Sequence, residues 1–124
     1  MQTRILSQEE WLPCLNALGR HCEKWFVTIE LLGLEIEADL GAREWPLQAI
    51  DVELNGGPDD SISFQFGDGD TVFRRTVTAP KRVRLSWTEK GLQEAICIDS
   101  AHGFTLLARF RPATAPQQAP RIPL

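Results

Sequence analysis

Near the amino terminus the apolar residues fall at helical spacing, with Trp11, Leu15, Leu18 and Cys22 close to one face. Ser7-Gln8-Glu9-Glu10 has the form of a capping box, a hydroxyl and a carboxylate three apart that satisfy free amides at a helix start, so a helix is expected from there. Pro13 cannot donate to the carbonyl four residues back, so the first turn is expected to distort or the regular helix to begin at Pro13, and Gly19 marks fraying or an early stop. After Lys24 the period changes to two. Trp25, Val27, Ile29 and Leu31 alternate with Phe26, Thr28, Glu30 and Leu32 in a strand apolar enough to be partly covered on both faces.

Gly33 breaks that strand. Leu34, Ile36, Ala38 and Leu40 alternate with Glu35, Glu37 and Asp39, a half-buried strand with an acidic outer face. Trp45-Pro46 forces an extended entry into a segment where Ile50, Val52 and Leu54 oppose Asp51 and Glu53, and residues 55–60, NGGPDD, read as a loop. Ile62, Phe64 and Phe66 lead through Gly67-Asp68-Gly69-Asp70 into Thr71–Val77, a β-hairpin. Thr78-Ala79-Pro80-Lys81 interrupts the run, giving two strands or one bent strand, continued by Val83, Leu85 and Trp87 inward. Ile96 and Ile98 alternate with Cys97 and Asp99, and Phe104, Leu106, Ala108 and Phe110 make the last strand. From Pro112 the apolar periodicity ends.

One helix followed by consecutive short strands predicts an α+β fold: an N-terminal helix packed on a curved antiparallel β-sheet or open barrel of six to eight strands. The domain is expected to span residues 1–111, with 112–124 as a flexible Pro-rich tail. At 124 residues, 43% hydrophobic and 24% charged, the composition suits one globular domain with its own core. The sequence lacks a signal-like or membrane-spanning apolar run, and its three cysteines are irregularly spaced, so a soluble, cytoplasmic protein with reduced thiols is expected.

Certain stretches support a resemblance. Glu10-Trp11-Leu12-Pro13 at the helix start, the strand Trp25–Gly33, the Pro46-Leu47 strand entry and Leu107-Ala108-Arg109-Phe110 resemble an uncharacterised family of small bacterial proteins, a domain of unknown function, over residues ~3 to 111. The resemblance implies a bacterial origin and one compact domain, and carries no catalytic residue.

Charge is segregated along the chain against a net charge of −4. Residues 30–60 hold nine acids and one base, whereas residues 71–111 hold eight bases and three acids. A solvated sheet face with partial cross-strand pairing is the expected outcome. Nucleic acid is not expected as a partner, because Phe73 and Trp87 fall on the apolar register and not among the outward arginines, where base stacking needs them. Arg75 shares the inward register of Phe73 and Val77, and so must be paired, displaced by a bulge or placed at the sheet edge. Trp45, at a strand entry, is the candidate exposed anchor among four tryptophans.

Other chemistry reads weakly. Gly67-Asp68-Gly69-Asp70 lacks the remaining ligands of a calcium loop. Cys14, His21 and Cys22, with Cys97 or His102, contain no Cys-x2-Cys pair, and Cys14 and Cys22 are separated by roughly 12 Å of helical rise, so no metal and no cofactor are expected. Asp99, Ser100 and His102 read as turn formers and not as a catalytic set, and outward carboxylate pairs such as Asp51/Glu53 lack an apolar surround. The expectation is a non-catalytic protein-binding or accessory domain that meets another protein, or a second copy of itself, through a sheet edge, with Arg75, Trp45, Arg82 and Arg84 as the candidate binding residues. The alternative is a small-molecule binder or enzyme for an anionic ligand, with a pocket between helix and sheet near Arg75 and Trp45. No membrane partner is expected.

Overall fold

The structure, a computed structural model, describes residues 2–33, 44–57, 59–88 and 94–112. Among the described residues, one helix packs against an eight-stranded antiparallel sheet that is not closed into a barrel. The elements run β1 (Gln2–Leu6), α1 (Gln8–His21), β2 (Phe26–Leu32), β3 (Trp45–Glu53), β4 (Ser61–Asp68), β5 (Thr71–Thr78), β6 (Pro80–Trp87), β7 (Glu94–Ser100) and β8 (Thr105–Arg111). Their order in the sheet is β1-β6-β7-β8-β2-β3-β4-β5, which leaves β1 and β5 as the edges among the described residues. The expected strand at Leu34–Leu40 and the tail from residue 113 lie outside the described residues. No helix of the described residues is long and apolar enough to cross a membrane.

The capping box forms at the helix start, where the Ser7 N–H donates to Glu10 Oε1 at 2.9 Å and Arg4 also pairs with Glu10. That amide holds the Glu10 carboxyl below its ordinary pKa, against the opposing effect of desolvation. The helix starts at Gln8, where the capping box places it, and two other expectations are corrected: it runs through Pro13 instead of beginning there, and it continues past Gly19 to His21. The buried stripe Trp11, Leu15 and Leu18 holds the helix onto the core despite Pro13, which is exposed, and the Trp11 indole N–H donates to the Leu6 carbonyl. Gly19 lets the helix approach β3, since a Cβ there would lie 3.4 Å from that of Ile50.

The inner face of the sheet carries Val27 and Ile29 from β2, Leu47 and Ile50 from β3, Ile62, Phe64 and Phe66 from β4, and Leu106, Ala108 and Phe110 from β8, all buried. Leu47 and Ile50 are three apart yet both inward, because the register against β4 shifts between Leu47 and Ala49. Phe64 and Phe110 meet at 6.4 Å between ring centroids, joining the β3-β4-β5 part of the sheet to the β6-β7-β8-β2 part across the core. The interrupted basic stretch resolves as two strands in different parts of the sheet. The corner is Ala79, at φ 50°, whose N–H donates to the Asp60 carbonyl and whose carbonyl accepts from Ala101 N–H. Strand β1 was not anticipated; its five residues pair with β6, about eighty positions away in sequence, from Gln2↔Trp87 to Leu6↔Val83.

On the outer face the segregated charges pair across strands. Arg109 meets Glu30 at 2.9 Å and Arg74 meets Asp51 at 3.3 Å. Arg111 forms a two-pronged pair with Glu44 (Nε–Oε2 2.7 Å) and lies 4.9 Å over the Phe26 ring. Each pair joins the acidic part of the chain to the basic part, and together they use three of the nine acids and three of the eight bases that the sequence separates.

Candidate functional site

The inner face of β5 carries the residues that break the ordinary sheet pattern. Register sets Phe73 opposite Phe66, Arg75 opposite Phe64 and Val77 opposite Ile62, so Arg75 shares the face of the core phenylalanines. Position at the edge resolves the difficulty this raised. A half-buried guanidinium on an edge strand reaches solvent beside the sheet, and its Nη1 donates to the Arg74 carbonyl at 3.1 Å. No carboxylate of the described residues pairs with it.

Trp45 joins the same patch from β3. Its ring meets Phe73 edge-on at 4.9 Å, and Phe73 stacks on Phe66 at 5.6 Å. Trp45 is half-buried and not the exposed anchor expected, because it pairs with Val27 and so takes the inward register of Leu47. Val72, the neighbour of Phe73 on the other face of β5, is 53% exposed. The edge strand therefore offers an apolar side chain outside, an aromatic pair inside and a cation two residues further along.

Arg82 and Arg84 belong elsewhere. They lie on β6, each 3.7 Å from Asp99 of the adjacent β7, and Arg84 also donates to Cys97 Sγ at 3.1 Å. Asp99 accepts from Thr105 Oγ1 at 2.7 Å, so the two arginines are held in a cross-strand network. Burial pushes the Cys97 thiol above its usual pKa, and the nearby Arg84 opposes the shift. Ser100 and His102 act as turn formers, with Ser100 Oγ accepting from His102 N–H and donating to the Thr78 carbonyl.

A cleft of about 410 Å³ opens where β2 and β3 share only two paired positions, lined among others by Lys24, Phe26, Gln48 and Gly67. None of Arg75, Trp45, Arg82 and Arg84 lines it. Glu23 and Asp68 stand in its wall against Lys24.

Sequence reasoning weighed His21 and Cys22 together but missed the residue that joins them, Glu94. His21, Cys22 and Glu94 bring ligand atoms within 4.8 Å of one another, with His21 Nε2 3.3 Å from Glu94 Oε2. Cys22 is fully buried, and desolvation first, then the Glu94 charge, push its thiol up to about 12. The overlooked signal was parity. Glu94 shares the register of Ile96 and Ile98 and so turns inward at the first position of β7. Cys14 and Cys97, weighed as ligands from the sequence, are not in the cluster.

The antiparallel strands expected from the sequence are present, and no family model, curated protein or solved structure matches the chain.

Proposed function

We propose that the protein is a non-catalytic binding domain that engages another polypeptide, or a second copy of itself, at the β5 edge. The observation that carries this reading is the eight-residue edge strand flanked by exposed Val72 and the half-buried Trp45–Phe73 pair. Backbone groups of an edge strand supply generic affinity for an added strand, and side chains at alternate positions supply selection. Arg75 favours an acidic residue in the added segment, since no carboxylate of the described residues neutralises it. Nucleic acid remains outside the proposal, because the aromatic residues face the core side of the strand and the outer arginines pair with acids. The alternative anionic small molecule is less well served by the cleft, where Glu23 and Asp68 oppose its binding. The same reading takes the protein to be a bacterial cytoplasmic accessory domain, in keeping with its sequence resemblance and free thiols.

A photo-crosslinking amino acid at Val72, with the same group at exposed Leu12 on α1 as the control, tests the proposal in cells of the native host. A discrete adduct from Val72 that disappears with Arg75→Glu, and no such adduct from Leu12, is expected. Equal labelling from both positions, or an adduct indifferent to Arg75→Glu, overturns it.

A further inference from the structure

We propose that His21, Cys22 and Glu94 form a zinc site with three protein ligands and one position open to water. The donor set is one imidazole nitrogen, one sulfur and one carboxylate oxygen, a combination that suits a borderline-soft ion better than calcium or magnesium. For tetrahedral zinc with bonds of about 2.0 Å to nitrogen and oxygen, these two donors stand about 3.3 Å apart. The observed separation of His21 Nε2 and Glu94 Oε2 is 3.3 Å. All three ligand atoms lie within 4.8 Å, so sulfur needs to close by at most ~1.2 Å to reach its tetrahedral spacing of ~3.6 Å.

The backbone holds the site in place. Cys22 caps α1, its N–H donates to the Leu18 carbonyl at 2.8 Å, and its own carbonyl accepts from Trp25 N–H at 2.9 Å. Trp25 packs against the His21 ring at 5.0 Å between centroids, and Glu94 is fixed by pairing with Phe110 and Trp87. The His21 side chain is 61% exposed while that of Glu94 is 14% exposed, so the cluster has a buried floor and a wet mouth. That leaves the fourth coordination position on the solvent side. Thiolate and carboxylate together neutralise the dication, and zinc releases the thiol proton on binding.

Cobalt(II) and zinc titrations of the full chain test the site. The expected result is one metal per chain, with a thiolate-to-cobalt charge-transfer band and the intense visible bands of a four-coordinate ion. Cys22→Ser removes the charge-transfer band; His21→Gln and Glu94→Gln, at positions less buried than Cys22, each weaken zinc binding by more than about tenfold, the lower bound for disturbing even the supporting residues of a metal site. Cys97→Ser leaves both readouts unchanged. Zinc affinity that survives Glu94→Gln and His21→Gln in folded protein, or spectra without the sulfur band, overturns the proposal, as does failure of the folded wild type to bind zinc at micromolar concentrations.

Discussion

Replacing Gly67 by alanine is the most stringent test of how the β5 edge is held. Gly67 sits at φ +149°, a backbone conformation that side-chain-bearing L residues rarely adopt, and pairs with Val72 near the end of the β4–β5 hairpin. A Cβ built there would lie 2.0 Å from the Thr71 carbonyl oxygen and 2.9 Å from Val72 Cα, both backbone atoms that cannot turn aside. Backbone strain of this kind costs ~1–3 kcal/mol, and overpacking a closed site costs a comparable ~1–3 kcal/mol, so a loss of about 3 kcal/mol is expected. With a urea m-value of about 1.5 kcal/mol/M, the unfolding midpoint should fall by roughly 2 M. Gly69, two residues on at φ +62° with open space around its would-be Cβ, is the internal control. Gly69→Ala meets only the left-handed backbone penalty of roughly 1 kcal/mol. Urea denaturation followed by tryptophan fluorescence measures both. If Gly67→Ala matches Gly69→Ala, the hairpin does not depend on that close approach, and the account of the edge strand fails at its root.

Phe64→Ala removes a fully buried ring that touches Phe110 across the core, and should cost ~3–5 kcal/mol in the same assay; a loss below ~1 kcal/mol would mean that the two parts of the sheet do not share a core. Hydrogen bonds from Arg111 hold the Glu44 carboxyl below its ordinary pKa, so its contribution to stability is present above the usual carboxylate range and lost as pH falls through the lowered folded value. Melting curves should therefore show wild type above Glu44→Gln near neutral pH and the two converging in strong acid, whereas a pH-independent gap would assign the effect to packing. Val72→Lys places a charge on the exposed side of β5 and should leave stability within ~0.5 kcal/mol while abolishing partner capture; a large loss of stability would show Val72 to be part of the core.

Local patterns were legible where the residues that set them are neighbours in sequence. The capping box located α1 to within a residue, and alternation located β2 and β4 through β8, because the period-two signal needs only the side chains of the strand itself. Strand β1 escaped because Gln2–Leu6 is short, mostly exposed and given its conformation by pairing with β6. Gly19 misled for a related reason: its value is the close approach to Ile50, a contact made only by the fold. The shift between Leu47 and Ala49 lay equally out of reach, since a bulge is a relation between two strands.

Charged residues on an apolar register carry the remaining argument. Alternation makes Arg75 a partner in register of Phe73 and Val77, and Glu94 of Ile96 and Ile98, and neither can enter a packed core without compensation. The fold answers the two cases differently. Arg75 is placed on the edge strand, where its head reaches water and no acid of the described residues joins it. Glu94 is placed at the first position of an interior strand, beneath the end of α1, where His21 and Cys22 converge on it. Strain against a local rule that the fold tolerates and does not remove is where function is to be sought, and here it marks the two sites proposed above, the β5 edge for an added strand and the junction of α1 with β7 for a metal ion.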